Sequence, residues 1–198
     1  MDLLNCYIPV FRLLIEVESN SSEYDNYELV RSKFTERIEQ AVTQSESIQV
    51  TDYERDEALF AVIVLIDEAV LCSSLPFQQK WRQNPLQHKY FGSFLGGELF
   101  YSRLENIDKE YKEVLLVYFF CLLLGFKGKY IEENNDFIDD YIKAFKSEKL
   151  SDLPEIKKIT EPALKNRRHC YSYLNLIPLL MISLFTCYIS FSVILMFK

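Results

Sequence analysis

TDYERDEALFAVIVLIDEAVLCSSL, residues Thr51 to Leu75, begins in the form of a capping box. The Thr51 hydroxyl is placed for the Glu54 N–H and the Glu54 side chain for the return bond, so a long helix is expected to start there. From Ala58 to Leu75 the only charges are Asp67 and Glu68. A helix that is apolar nearly all round has no face to give to water, so it belongs at the centre of a bundle. Pro76 stops it or bends the chain.

Upstream, Leu3, Tyr7, Val10, Phe11 and Leu14 recur at helical spacing, and Pro9 bends that first helix without removing the pattern. Ser19 to Ser22 form a polar break. Tyr27, Val30, Phe34, Ile38, Ala41 and Val42 then predict a second amphipathic helix, with Gln44 to Val50 reading as a loop. Downstream, Phe77 to Trp81 is a short amphipathic piece, and Asn84-Pro85 forms an N-cap and N1 pair. Gly92, Gly96 and Gly97 punctuate the chain before helix resumes over Glu98 to Leu104. The apolar run Val114 to Leu124 is too short for a bilayer and right for a core helix, with Gly125 as its C-terminal cap. Phe137, Ile138, Tyr141, Ile142 and Phe145 mark a last helix whose wet face carries Asp139, Asp140 and Lys143. Only five glycines and six prolines, with helical periodicity throughout, argue for an all-α body.

The C-terminal run differs in kind. Cys170 to Phe197 carries no charge, and Leu174 to Phe197 gives 24 predominantly apolar positions, against the roughly 20 that cross a hydrocarbon core. A transmembrane helix over 174–197 is expected, because helices of globular cores rarely stay uncharged so long. Lys165, Arg167 and Arg168 precede it and only Lys198 follows. That lysine and arginine excess holds the N-terminal side in the cytoplasm and sends the C-terminus to the far side of the membrane. Residues 1–145 carry 14 Lys+Arg against 25 Asp+Glu, net −11, while residues 146–169 carry seven against four, net +3. An acidic body thus precedes a basic juxtamembrane tether, 146–173, suited to anionic membrane lipid. The body's charge excludes nucleic acid as a partner. Met1-Asp2 offers no basic region for a cleaved signal peptide. The five cysteines contain no C-x-x-C pair and read as reduced thiols. The chain reads as tail-anchored.

Taken in order, the central fragments resemble one family. They are Asp56-Glu57-Ala58-Leu59, Leu65-Ile66-Asp67-Glu68-Ala69-Val70-Leu71, Trp81 and Pro85-Leu86-Gln87. They continue with Tyr90-Phe91-Gly92, Gly96-Gly97-Glu98-Leu99-Phe100-Tyr101, Arg103-Leu104-Glu105 and Leu124-Gly125-Phe126-Lys127-Gly128-Lys129-Tyr130. Their succession, followed by a single C-terminal anchor, is similar to the DotU/TssL proteins, also called IcmH, of type VI and type IVb secretion systems. The resemblance implies a cytoplasmic all-helical domain of two small packed bundles, one span across the bacterial inner membrane with the C-terminus in the periplasm, and a non-enzymatic structural role. It implies a larger inner-membrane partner of the TssM/IcmF class, an outer-membrane lipoprotein indirectly, and baseplate proteins of the TssK type. A chain ending one residue after its span would lack the peptidoglycan-binding extension of some relatives. A type IVb subunit stabilising an IcmF partner is the alternative that the residues do not separate.

Asp67 and Glu68 interrupt the most apolar helix, where a carboxylate has to be solvated, paired or hydrogen-bonded. They read either as a narrow wet stripe or internal pair, or, through the resemblance, as an acidic cleft that docks a basic cytosolic partner. Gly96-Gly97-Glu98 lacks the Gly-Lys-Ser/Thr and the strand of a phosphate loop, so close helix packing is expected. Gly125-Phe126-Lys127-Gly128 reads as a tight interhelical turn. Trp81 is expected in the core, with an exposed recognition patch as the competing reading. In the span, Ser183, Thr186, Cys187 and Ser190 fall on one helical face, open either to a partner's transmembrane helices, to a homodimer, or to ordinary tolerance of small polar residues. No cofactor or metal is expected. A membrane-bound hydrolase using Asp67, Glu68 or Glu98 is the competitor from another class, and it lacks a nucleophile–base arrangement.

Overall fold

The computed structural model describes residues 2–130 and 135–151. Their helices are α1 (Leu3–Ser19), α2 (Tyr27–Ser45), α3 (Asp52–Cys72), α4 (Gln78–Gln83), α5 (Leu86–Phe91), α6 (Gly96–Asn106), α7 (Lys112–Leu123) and α8 (Asn135–Lys149), with a 3-10 turn at Gly128–Tyr130. Among the described residues there is no strand, so the body is all-α.

α3 forms where the capping box predicts it. The Glu54 N–H donates to the Thr51 hydroxyl at 3.2 Å, and the Glu54 carboxylate accepts the Thr51 N–H at 2.9 Å. The two bonds satisfy donors that a helix start leaves orphaned. Every residue from Ala58 to Val70 except Leu59 and Glu68 is buried. α3 is therefore the axis of the molecule: α1, α2 and α7 pack along it, and α4, α5 and α6 also contact it. α8 lies on α7, where the Phe119 and Phe145 rings stack at 6.1 Å.

The end of α7 shows how a tight turn is built. The Gly125 N–H donates to the Leu122 carbonyl and the Phe126 N–H to the Cys121 carbonyl, at 2.9 and 3.1 Å. This paired closure is a Schellman motif, and it needs the left-handed residue that Gly125 supplies at φ +86. Phe126, next in the chain, is wholly buried.

Three boundaries differ from the sequence reading. α2 runs on to Ser45, into the stretch read as loop, because the buried Ser45 donates its hydroxyl to the Val42 carbonyl at 2.7 Å. α6 starts at Gly96 rather than Glu98, since the Leu95 carbonyl already accepts from the Glu98 and Leu99 N–H groups. Pro85, not Asn84, is the N-cap of α5; the first amides of that helix find their acceptor in α3, so no local side-chain cap is used. One apolar core runs from Leu3 to Leu150. Its last element, α8, carries the body past residue 145: Leu150 is buried, and the Lys149 ammonium donates to the Ile107 carbonyl at 2.8 Å. The expected span at 174–197 and the tether after 151 lie outside the described residues. Among the described residues no helix is long and apolar enough to cross a membrane.

Candidate functional site: the carboxylates of the central helix

Asp67 is 1% exposed. Its Oδ1 accepts the Trp81 indole N–H and the Leu86 N–H, and its Oδ2 accepts the Gln87 N–H, all at 2.8 Å. Leu86 and Gln87 are the first residues of α5, so a side chain of α3 caps α5 from across the core. Burial pushes the Asp67 carboxyl up to about 6, against the lowering effect of its three donors. The reading of Asp67 as a cleft residue is thereby corrected: an acid with both oxygens occupied inside the core presents nothing to a partner. Nor is it paired with a lysine or arginine; its partners are two amides and an indole, donors that hold a carboxylate in place and cannot act as nucleophile or acid–base partner to it.

Glu68, one residue on, points about 100° further round the helix and remains partly exposed. Its two oxygens accept the Lys127 N–H at 2.9 Å and the Gly128 N–H at 2.7 Å. Adjacent carboxylates thus fasten two different segments to α3, the α4–α5 corner and the loop after α7.

A third carboxylate completes the set. Glu57 stands eleven residues before Glu68, three turns back on almost the same face. It is 8% exposed and accepts the Tyr118 hydroxyl at 2.8 Å and the Arg103 guanidinium at 3.0 Å. The Arg103 guanidinium also lies 4.0 Å from the centre of the Phe60 ring. Burial, with the Glu57 carboxylate second, drives the Tyr118 hydroxyl well above its usual range, so it stays a donor. Glu57, Arg103 and Tyr118 tie α3, α6 and α7 together. In the sequence Glu57 and Arg103 stand out only within fragments of the resemblance, and Tyr118 only as part of an apolar run. The three-turn spacing of Glu57 and Glu68 was the available signal.

The glycines close the same corner. A Cβ on Gly96 would lie 2.5 Å from both Gln87 Oε1 and Val64 Cγ2, and one on Gly128 would lie 2.5 Å from the Gly97 carbonyl oxygen. Gln87 Oε1 accepts the Gly96 N–H at 2.8 Å, so the residue capped by Asp67 in turn caps α6. Gly92 ends α5 in the left-handed conformation, and Glu98 is exposed in the first turn of α6. Trp81 is wholly buried, its ring edge-on to Tyr27 and Phe34 at 5.9 and 6.1 Å. It is a core residue whose one polar atom is spent on Asp67, so it forms no recognition patch.

The profile of the family described as "Type VI secretion system protein DotU" matches residues 2–198. The chain belongs to the DotU family of type VI secretion proteins. Two solved structures share its fold. The cytoplasmic domain of TssL from Acinetobacter baumannii has a TM-score of 0.68 at 27% identity, covering 76% of this chain and 98% of that one. SciP/TssL from enteroaggregative Escherichia coli 042 has a TM-score of 0.56 at 21% identity, covering 80% and 96%. No curated protein matches the chain. Within this family fold the fragments that carried the resemblance include Glu57, Asp67, Glu68, Trp81, Gln87, Gly96, Gly97, Arg103 and Gly128, whose contacts have just been described. They build the domain. Ser183, Thr186, Cys187 and Ser190 lie outside the described residues.

Proposed function

We propose that this chain is a non-enzymatic structural subunit of a type VI membrane complex, anchored in the inner membrane by residues 174–197 with its body in the cytoplasm. The observation that carries this reading is the DotU family match, which runs through the helical body and on through the uncharged C-terminal run. Three carboxylates of α3 support a non-enzymatic role, because Glu57, Asp67 and Glu68 are engaged by backbone amides, an indole, a phenol and a guanidinium. Fixing the body at the bilayer raises the effective concentration of each cytosolic partner, so several modest contacts act as one strong one.

The partners this reading names are a TssM/IcmF-type membrane protein and TssK-type baseplate proteins, with an outer-membrane lipoprotein held indirectly. Docking of a basic cytosolic partner falls to exposed acids of the net-negative body, with Glu68 at most at its margin. The face of Ser183, Thr186, Cys187 and Ser190 is proposed to meet the partner's transmembrane helices or a second copy. The test is affinity purification of the full chain from detergent-solubilised membranes. Co-purification of the TssM-type and TssK-type proteins is expected, and leucine substitutions along 183–190 are expected to weaken the former without preventing insertion. Recovery of neither protein would remove the proposal.

A further inference from the structure

From Val114 to Leu123 α7 carries no charged residue, and its chief neighbours among the described residues are α3, α1 and α8. α1 runs parallel to it: the Leu3 N–H donates to Glu113 Oε2 at 2.8 Å where both helices begin, and the Phe11 and Phe120 rings meet at 5.0 Å further along. α8 runs antiparallel, with the Phe145 ring on Phe119 and the Lys149 ammonium on the Ile107 carbonyl just before α7 starts. Phe119 thus marks the side of α7 that faces α8, and Phe120, about 100° round, the side that faces α1. Leu116 and Leu123 fall about 60° and 40° round from Phe119, between those two neighbours. Both are half-buried.

The walls of that gap are apolar as well. On α1, Leu4, Ile8 and Ile15 stand within about 60° of Phe11, on its side away from the core; Leu4 and Ile8 are half-buried and Ile15 is 38% exposed. On α8, Ile142 is placed in the same way beside Phe145 and is half-buried. The surface between α1 and α8 is therefore a channel with an apolar floor and two apolar walls, shaped for one more helix packed on α7.

Where the described chain ends selects the occupant. α8 finishes at Lys149, beside Ile107 and so at the N-terminal mouth of the channel. In the sequence that follows, Leu153, Ile156 and Ile159 recur every three positions, with Glu155, Lys158 and Glu161 turned to the other side of a helical projection. Pro154 stands where a first helical turn accepts it, and Pro162 stops the pattern. We propose that residues 154–161 form a helix that reverses on α8 and lies in this channel, with Leu153, Ile156 and Ile159 against Leu116, Leu123 and Ile8. The lengths agree: eight residues of helix cover about 12 Å, and Leu116 to Leu123 covers about 10 Å. The link from Leu150 to Leu153 has the length that joins antiparallel helices, about 2–5 residues. So short a link sets an effective concentration on the order of mM, which favours this segment over a free helix with a similar face. The tether that follows then leaves the body at the C-terminal end of α7 instead of its N-terminal end.

The test uses the full chain in detergent, with Cys170→Ser and Cys187→Ser as background; the body cysteines Cys6, Cys72 and Cys121 are buried. Leu116→Cys with Ile156→Cys is oxidised and compared with Leu29→Cys with Ile156→Cys, Leu29 being exposed on α2. A disulfide within one chain is expected for most of the first pair and little of the second. A disulfide between chains means that a second copy fills the channel, and it overturns the proposal; so does linkage of the first pair no greater than that of the second. Hydrogen exchange of the unsubstituted chain decides the matter independently of how the variants fold. Amides of 155–161 are expected to exchange about ten-fold or more slower than those of a free chain, and to lose that protection with Ile156→Asp and Ile159→Asp together. Exchange at the free-chain rate overturns the proposal. Protection that survives both aspartates also overturns it, because the apolar face is then not what holds the segment.

Discussion

Asp67 condenses the residue-scale lesson. A carboxylate in a helix interior invites a functional reading, yet its surroundings are three donors and no solvent. Replacing it with asparagine keeps the shape but turns an amide nitrogen toward one of those donors, and leaving such a donor unsatisfied costs about 1–3 kcal/mol. Its pH dependence has a defined sign. Burial raises the folded carboxyl to about 6, above its unfolded value of about 3.9. The folded state therefore binds the proton more tightly, and the contribution of Asp67 to stability is full below that unfolded value and lost as pH rises through 6. The penalty of Asp67→Asn in urea unfolding is accordingly expected to shrink between pH 4 and pH 7. A penalty that grows over that range would mean the three donors outweigh burial. Charge reversal of Asp67 and Glu68 together is expected to unfold the α4–α5 corner, seen as lost helicity, before any docking can be scored.

At the scale of elements, what matters is how one helix start is satisfied by another helix. α5 is capped by Asp67 of α3, α6 by Gln87 of α5, and the loop after α7 by Glu68 of α3. Short helices such as α5 and α6 are marginal alone, and this chain of caps is what fixes them. Gly96 lies within it. Gly96→Ala would drive a methyl into Gln87 and Val64, and overpacking of this kind costs about 1–3 kcal/mol. Gly97→Ala meets only the Gly128 backbone at 3.5 Å, an ordinary contact. Thermal unfolding is therefore expected to separate the two, with a clear loss for Gly96→Ala and little for Gly97→Ala. Equal midpoints would mean that Gln87 moves freely and the cap is not rigid.

For the whole molecule, the apolar core of the described residues runs from Leu3 to Leu150. A chain stopped after 151 is expected to unfold cooperatively with helical circular dichroism. One stopped after 145 loses Leu150 and the Lys149 bonds to the Glu105 and Ile107 carbonyls. It is expected to be less stable by a few kcal/mol, on the scale of deleting one buried leucine and freeing a helix end, which denaturant midpoints measure. If both truncations unfold alike, α8 contributes nothing past Phe145.

The sequence alone determined the helices and the order in which they come. Capping chemistry at Thr51 and Glu54, apolar periodicity in α1 and α2, and the glycine after α7 are local properties of the chain, so α1, α2, α3, α7 and α8 could be placed from them. The succession of fragments from Asp56 to Tyr130 was enough to reach the family. What each polar residue faces was decided only by tertiary structure. The helical period puts Asp67 and Glu68 on α3, but only the fold brings Leu86 and Gln87 to the first, Lys127 and Gly128 to the second, and Tyr118 with Arg103 to Glu57. Those contacts join residues 19 to 61 positions apart. A buried carboxylate and a docking carboxylate have the same local sequence, and they differ only in whether the folded chain brings donors or water to meet them.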